Sequence, residues 1–99
     1  MRLRLSLHVP ADLEEIADRI AQDRPRQAVR MLRQLHERMK EIARQPQLYR
    51  LRPKLGPEAR LASMGNYVIL FRIRKNTVRI ERVVYGSRDL FPLIEDSEN

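Results

Sequence analysis

Residues 60–85 read RLASM-GN-YVILFRIR-KN-TVRIERVVY, and this stretch decides the fold. Two short breaks, Gly65-Asn66 and Lys75-Asn76, separate three runs rich in β-branched and apolar residues, the pattern of strands joined by tight hairpins. An antiparallel meander over 60–64, 67–74 and 77–85 is expected. In its last strand Val78, Ile80, Arg82 and Val84 alternate with Thr77, Arg79, Glu81, Val83 and Tyr85. The core face is clear at the start and ambiguous near Val83-Val84, where a bulge or burial on both faces resolves the conflict.

Upstream, Arg2–Leu7 alternates with Leu3, Leu5 and Leu7 on one side, which predicts a half-buried first strand. Pro10 suits a first helical turn, Asp12, Glu14 and Glu15 suit its positive end, and Leu13, Ile16, Ala17, Ile20 and Ala21 keep helical spacing. A helix over 10–23 follows. Arg24-Pro25 ends it and opens a second helix over 25–44, whose apolar stripe is Ala28, Leu32, Leu35, Met39 and Ile42. So short a linker implies an antiparallel helical hairpin. Residues 45–57 form a basic, proline-rich loop, and 95–99 an acidic, frayed end. The expected fold is α+β with order β-α-α-β-β-β: a helical hairpin covering one face of a four-stranded, mainly antiparallel, twisted sheet, in a single domain over 1–99.

A chain of 99 residues has room for one thin core and no deep substrate cavity. The absence of cysteine excludes disulfides, thiolate nucleophiles and Cys-based metal sites, and two histidines, His8 and His36, make no metal centre, so no cofactor is expected. With neither a signal-peptide-like run nor a long apolar segment, a cytoplasmic protein without a membrane partner is expected. The formal net charge of +7 is unevenly spread: −2 over 1–23, +12 over 24–82 and −3 over 83–99. Arginine supplies 17 of the 20 basic residues, which favours phosphate or carboxylate partners.

No phosphate-binding glycine motif, zinc-protease motif or nucleophile elbow is present. The sheet face away from the helices, carrying Arg60, Arg72, Arg74, Arg79 or Arg82 according to register, is the candidate site. A cluster of Arg50, Arg52, Lys54 and Arg60 has the charge to grip phosphates, and Tyr67 or Tyr85 the ring to stack on a base. The sharpest motif is RVVYGSRDL at 82–90, where Gly86 frees the backbone as a strand ends and Arg88 emerges at the sheet edge. On its own it is equally compatible with a turn closed by an ion pair.

With Asp12-Leu13 and Ile16-Ala17 in the first helix, Pro25 opening the second, RLRPKLGPEAR at 50–60, GNYVILFRI at 65–73 and RVVYGSRDL at 82–90, the chain resembles the RelE/ParE superfamily. These are toxins of bacterial type II toxin–antitoxin modules, and the resemblance spans nearly the whole length. It implies a toxin neutralised by direct binding of a cognate antitoxin, with operator DNA met only through that antitoxin. RelE-like members are ribosome-dependent mRNA endonucleases. The positions where they carry two lysines, an arginine and a C-terminal tyrosine fall here on Ala59, Leu61, Val68 and Ile94. The likeness to ParE-like members, which lack that set and poison DNA gyrase, implies a non-enzymatic inhibitor of replication. An mRNA endonuclease is the alternative, and an inactive homologue serving only as an antitoxin-binding, autoregulatory subunit is a third reading. On this resemblance Arg60, Tyr67, Arg72 and Arg88 are the antitoxin-binding candidates, and Arg88, Asp89, Leu90 and Phe91 the candidates for target inhibition.

Overall fold

The computed structural model describes residues 1–86. In chain order the elements are β1 (Arg2–Leu5), α1 (Val9–Ala21), α2 (Pro25–Arg44), two single 3-10 turns (Pro46–Leu48 and Pro53–Leu55), β2 (Arg60–Met64), β3 (Tyr67–Arg74) and β4 (Thr77–Tyr85). The sheet order is β1-β4-β3-β2, with β1 parallel to β4 and the other pairs antiparallel. The α+β arrangement, the meander boundaries and α2 stand as expected. Lys75 and Asn76 both take positive φ, 45° and 61°, the type I′ geometry whose twist matches the flanking strands.

The principal core lies between the hairpin and the sheet. Val9 and Ile16 of α1, Leu35, Met39 and Ile42 of α2, and Tyr67, Ile69, Phe71, Val78, Ile80 and Val83 of the sheet form one buried cluster. Each large aliphatic or aromatic side chain withdrawn from water here contributes roughly 1.5–3 kcal/mol. This core is why the amphipathic helices hold their length, since helical propensity alone is marginal.

Strand one departs from its expected span. It ends at Leu5 rather than Leu7, and of its three leucines only Leu3 packs against the core, while Leu5 is 44% and Leu7 83% exposed. The reason is Ser6. Its N–H donates to the Ile80 carbonyl at 2.8 Å, its hydroxyl donates to the Glu81 carbonyl at 2.7 Å, and it accepts the His8 N–H at 3.2 Å. These bonds pull the chain out of the sheet and into α1, leaving Leu7 on the outside of the turn and giving the core position to Val9. Ala21, expected in the apolar stripe of α1, is exposed, and Ala17 and Leu32 are half-buried.

The bulge lies earlier than Val83-Val84. Ile80 pairs with Phe71 and Arg82 with Leu70, so Glu81 is the extra residue. That insertion converts a two-residue step into a three-residue one and puts Val78, Ile80 and Val83 together on the helix side. Pairing with β1 ends at Ile80, and side chains serve the backbone beyond it. Asp12 of α1 accepts the Val83 N–H at 2.9 Å through Oδ2, and takes Arg82 through a fork, Nε to Oδ2 at 2.9 Å and Nη2 to Oδ1 at 2.8 Å. The two side chains are only 6% and 12% exposed.

Removing the carboxylate leaves the Arg82 charge without this partner and the Val83 N–H without this acceptor. Asp12→Ala is expected to cost about 3–5 kcal/mol in urea unfolding, with Asp12→Asn, which keeps an acceptor, costing less. Loss below about 1 kcal/mol for the alanine variant would contradict this role.

Candidate binding surface on the open face of the sheet

Residues of β3 alternate between two environments. Tyr67, Ile69, Phe71 and Ile73 face the helices, whereas Val68, Leu70, Arg72 and Arg74 take the opposite face. Register places Leu61 beside Leu70, Val84 beside Val68 and Arg79 beside Arg72. The open face therefore has two halves. One is apolar: Leu55, Ala59, Val68 and Leu70 are buried together, with Leu61 and Val84 packed against them. The other is cationic, with Arg72 buried, Arg74 exposed and Arg79 half-exposed. The side chain of Glu81, only 4% exposed, meets Arg79 at 3.2 Å.

The loop after α2 makes the apolar half. Pro46 and Pro53 start its two 3-10 turns, and the Arg52 N–H donates to the Ala59 carbonyl at 2.7 Å, closing the loop over the sheet. Leu51 bridges to Arg60 just before β2 continues. Leu55 is thereby driven into the second cluster, while Arg50, Arg52 and Lys54 stay on the solvent side.

Register separates the residues expected to act together. Arg60 pairs with Phe71, on the helix side, and its guanidinium donates to the Tyr49 carbonyl, so it shares no face with Arg72. Tyr67 is 7% exposed and belongs to the principal core, its ring edge-on to Tyr85 at 5.4 Å. A base cannot stack on it without dismantling that core. Tyr85 is 47% exposed, and the Arg19 guanidinium lies 5.6 Å from its ring centroid. Between α1 and the end of β4, beside Tyr85, runs a groove of about 220 Å³ that Ile16, Arg19 and Val84 help to line. Arg82 is held by Asp12. Arg88, Asp89, Leu90 and Phe91 lie outside the described residues.

His8 sits half-buried at the turn into α1 and His36 is exposed on α2. Among the described residues no group of His, Cys, Asp and Glu side chains could hold a metal ion, and no helix is long and apolar enough to cross a membrane. Two features escaped the sequence reading. Asp12 falls between Val9 and Ile16 on the buried stripe of α1, and a charge at such a position is itself the signal of a buried partner. The uninterrupted apolar run Tyr67–Phe71 signals burial on both faces of β3, which a single helical layer does not provide.

A chain of the chromosomal ParDE TA system from P. aeruginosa has the same fold, with a TM-score of 0.77 at 21% identity over 88% of this chain and 97% of that one. The family model for the ParE toxin of the type II toxin–antitoxin system parDE matches residues 3–90, and the chain belongs to that family. No curated protein matches the chain in sequence at a significant level.

If Leu55 pins the loop to the open face, Leu55→Ala should cost about 2–3 kcal/mol and speed limited proteolysis within residues 50–58. Unchanged protection of that segment would show that the loop is held by other contacts.

Proposed function

We propose that this ParE-family toxin is a binding inhibitor of DNA gyrase, without nuclease activity of its own, held inactive by a cognate antitoxin. The observation that carries the non-enzymatic reading is the second apolar cluster. An mRNA endonuclease of the wider superfamily needs cationic and acid–base groups converging on one phosphate, to move a proton and to stabilise developing charge. At three of the positions where those groups are expected, this chain has Ala59, Leu61 and Val68. They lie in or against the cluster that Leu55 and Leu70 complete. A phosphodiester brought there would meet hydrocarbon, at the cost of desolvating its charge. Family membership over residues 3–90 supports the ParE branch on independent grounds.

An acidic, partly apolar antitoxin segment suits what remains exposed. The groove beside Tyr85 accepts an apolar side chain, and Arg74 and Arg79, beside Arg72, offer guanidinium groups for carboxylates. Arg88 and the Asp89, Leu90 and Phe91 that follow it continue directly from the end of β4. They are the segment proposed to reach the target, with Arg88 shared between antitoxin and target. Arg60, turned to the Tyr49 carbonyl, and Tyr67, buried in the principal core behind Tyr85, are not among the antitoxin contacts proposed.

The test is a cleavage assay with purified gyrase, closed circular DNA and the full chain. Accumulation of linear DNA after detergent and protease treatment, absent for Arg88→Ala and suppressed by antitoxin, is expected. Intact DNA together with cleavage of ribosome-bound mRNA would establish the endonuclease instead.

A further inference from the structure

The outer side of α2 carries a charge pattern that neither the core nor the open sheet face uses. Arg26, Arg30, Arg33, Lys40 and Arg44 are all exposed. At about 100° per residue they fall within a sector roughly 80° wide. That sector points directly away from the buried Ala28, Leu35, Met39 and Ile42. From Arg26 to Arg44 it runs about 27 Å along the helix axis. Glu37 is the one acid inside it and is paired with Lys40 at 3.4 Å. Among the described residues Arg26, Arg30, Arg33 and Arg44 form no ion pair.

A merely solvated helix face would be arranged otherwise. Arg26–Arg30 and Lys40–Arg44 are like-charge i,i+4 neighbours and Arg30–Arg33 an i,i+3 pair, each of which weakens the helix. Arg26 also stands in the first turn, at the positive end of the helix dipole, where no acidic residue offsets it. The neighbouring α1 follows the opposite rule, with Asp12 in its first turn and an i,i+4 pair between Glu15 and Arg19. Its exposed Glu14, Glu15 and Asp18 make that side of the hairpin acidic. Charge is thus segregated between the two helices, at a cost to α2 that burial does not explain.

The stripe selects its partner by what it lacks. Val29, at its margin, is the only large apolar side chain of α2 counted as exposed, so the stripe has no apolar centre of the kind that anchors a protein interface. A straight row of guanidinium groups about 27 Å long matches about eight base pairs of duplex at 3.4 Å rise, whose phosphates present one charge per ~1.7 Å. We propose that the outer face of α2 binds the backbone of double-stranded DNA without reading its sequence. The acidic side of α1 repels phosphate and so orients the duplex along α2. This surface is separate from the open sheet face and stands whether or not gyrase is the target.

The test is fluorescence anisotropy of a labelled, mixed-sequence DNA duplex titrated with the antitoxin-free full chain across a salt series. The wild-type plot of log affinity against log salt is expected to have a slope of about −4, from four to five phosphate contacts. The variant R26Q/R30Q/R33Q/R44Q should flatten it to about −1 and weaken binding at least roughly tenfold at physiological salt. A charge-matched control, R2Q/R4Q/R50Q/R52Q, should stay close to wild type, and thermal unfolding checks that both variants fold. Equal losses in the two variants would attribute binding to net charge and overturn the proposal. So would wild-type binding too weak to measure, tighter binding of single-stranded RNA, or self-association of the chain that only the α2 variant abolishes, which would make a second copy the occupant.

Discussion

One carboxylate joins the two layers of this molecule. Asp12 reaches from the first turn of α1 to the backbone of Val83 and the guanidinium of Arg82, just past the point where β1 stops pairing with β4. Against an apolar replacement a buried ion pair of this kind stabilises little, because desolvation offsets most of the attraction. Its value is geometric. It completes the hydrogen bonding of β4 beside the Glu81 bulge, and the bulge returns Val83 to the core after the change of phase.

The same bulge shapes the open face. Were Glu81 an ordinary ladder residue rather than a bulge, the alternation from Val78 and Ile80 would carry Arg82, rather than Val83, to the helix side. With the bulge, Val84 joins the cluster of Leu55, Ala59, Val68 and Leu70, while Glu81 meets Arg79. The face is divided into an apolar half under a loop and a cationic half. That division favours recognition of a partner that is itself part apolar and part acidic, and disfavours chemistry on a phosphodiester. On the function proposed above, the side chains this scaffold carries, rather than the scaffold itself, make the molecule a binding inhibitor.

Much of the architecture was legible because its signals are periodic. The meander, the hairpin and the α2 core positions follow from spacings of two and of three to four, reinforced by Gly65-Asn66, Lys75-Asn76 and Pro25. The failures share one physical origin, in that local periodicity ends where a side chain captures backbone. Leu5 and Leu7 keep the alternation of a strand, yet Ser6 draws the chain away, and Asp12 reads as a dipole-favouring helix start while serving as a buried anchor. The site was less legible than the fold. Whether Arg60 and Arg72 share a face depends on register, which a one-residue slip reverses, and Tyr67 looks the same in sequence whether it stacks on a base or fills a core.

The central claim is that a toxin whose open face is plugged by hydrocarbon stops growth by binding, at the level of DNA replication. The most direct measurement is incorporation of labelled thymidine and labelled amino acids in the first minutes after induction of the full chain in bacteria without its antitoxin. DNA synthesis should fall first while translation continues. An initial collapse of translation would contradict the account and place a catalytic site on the molecule despite Ala59, Leu61 and Val68.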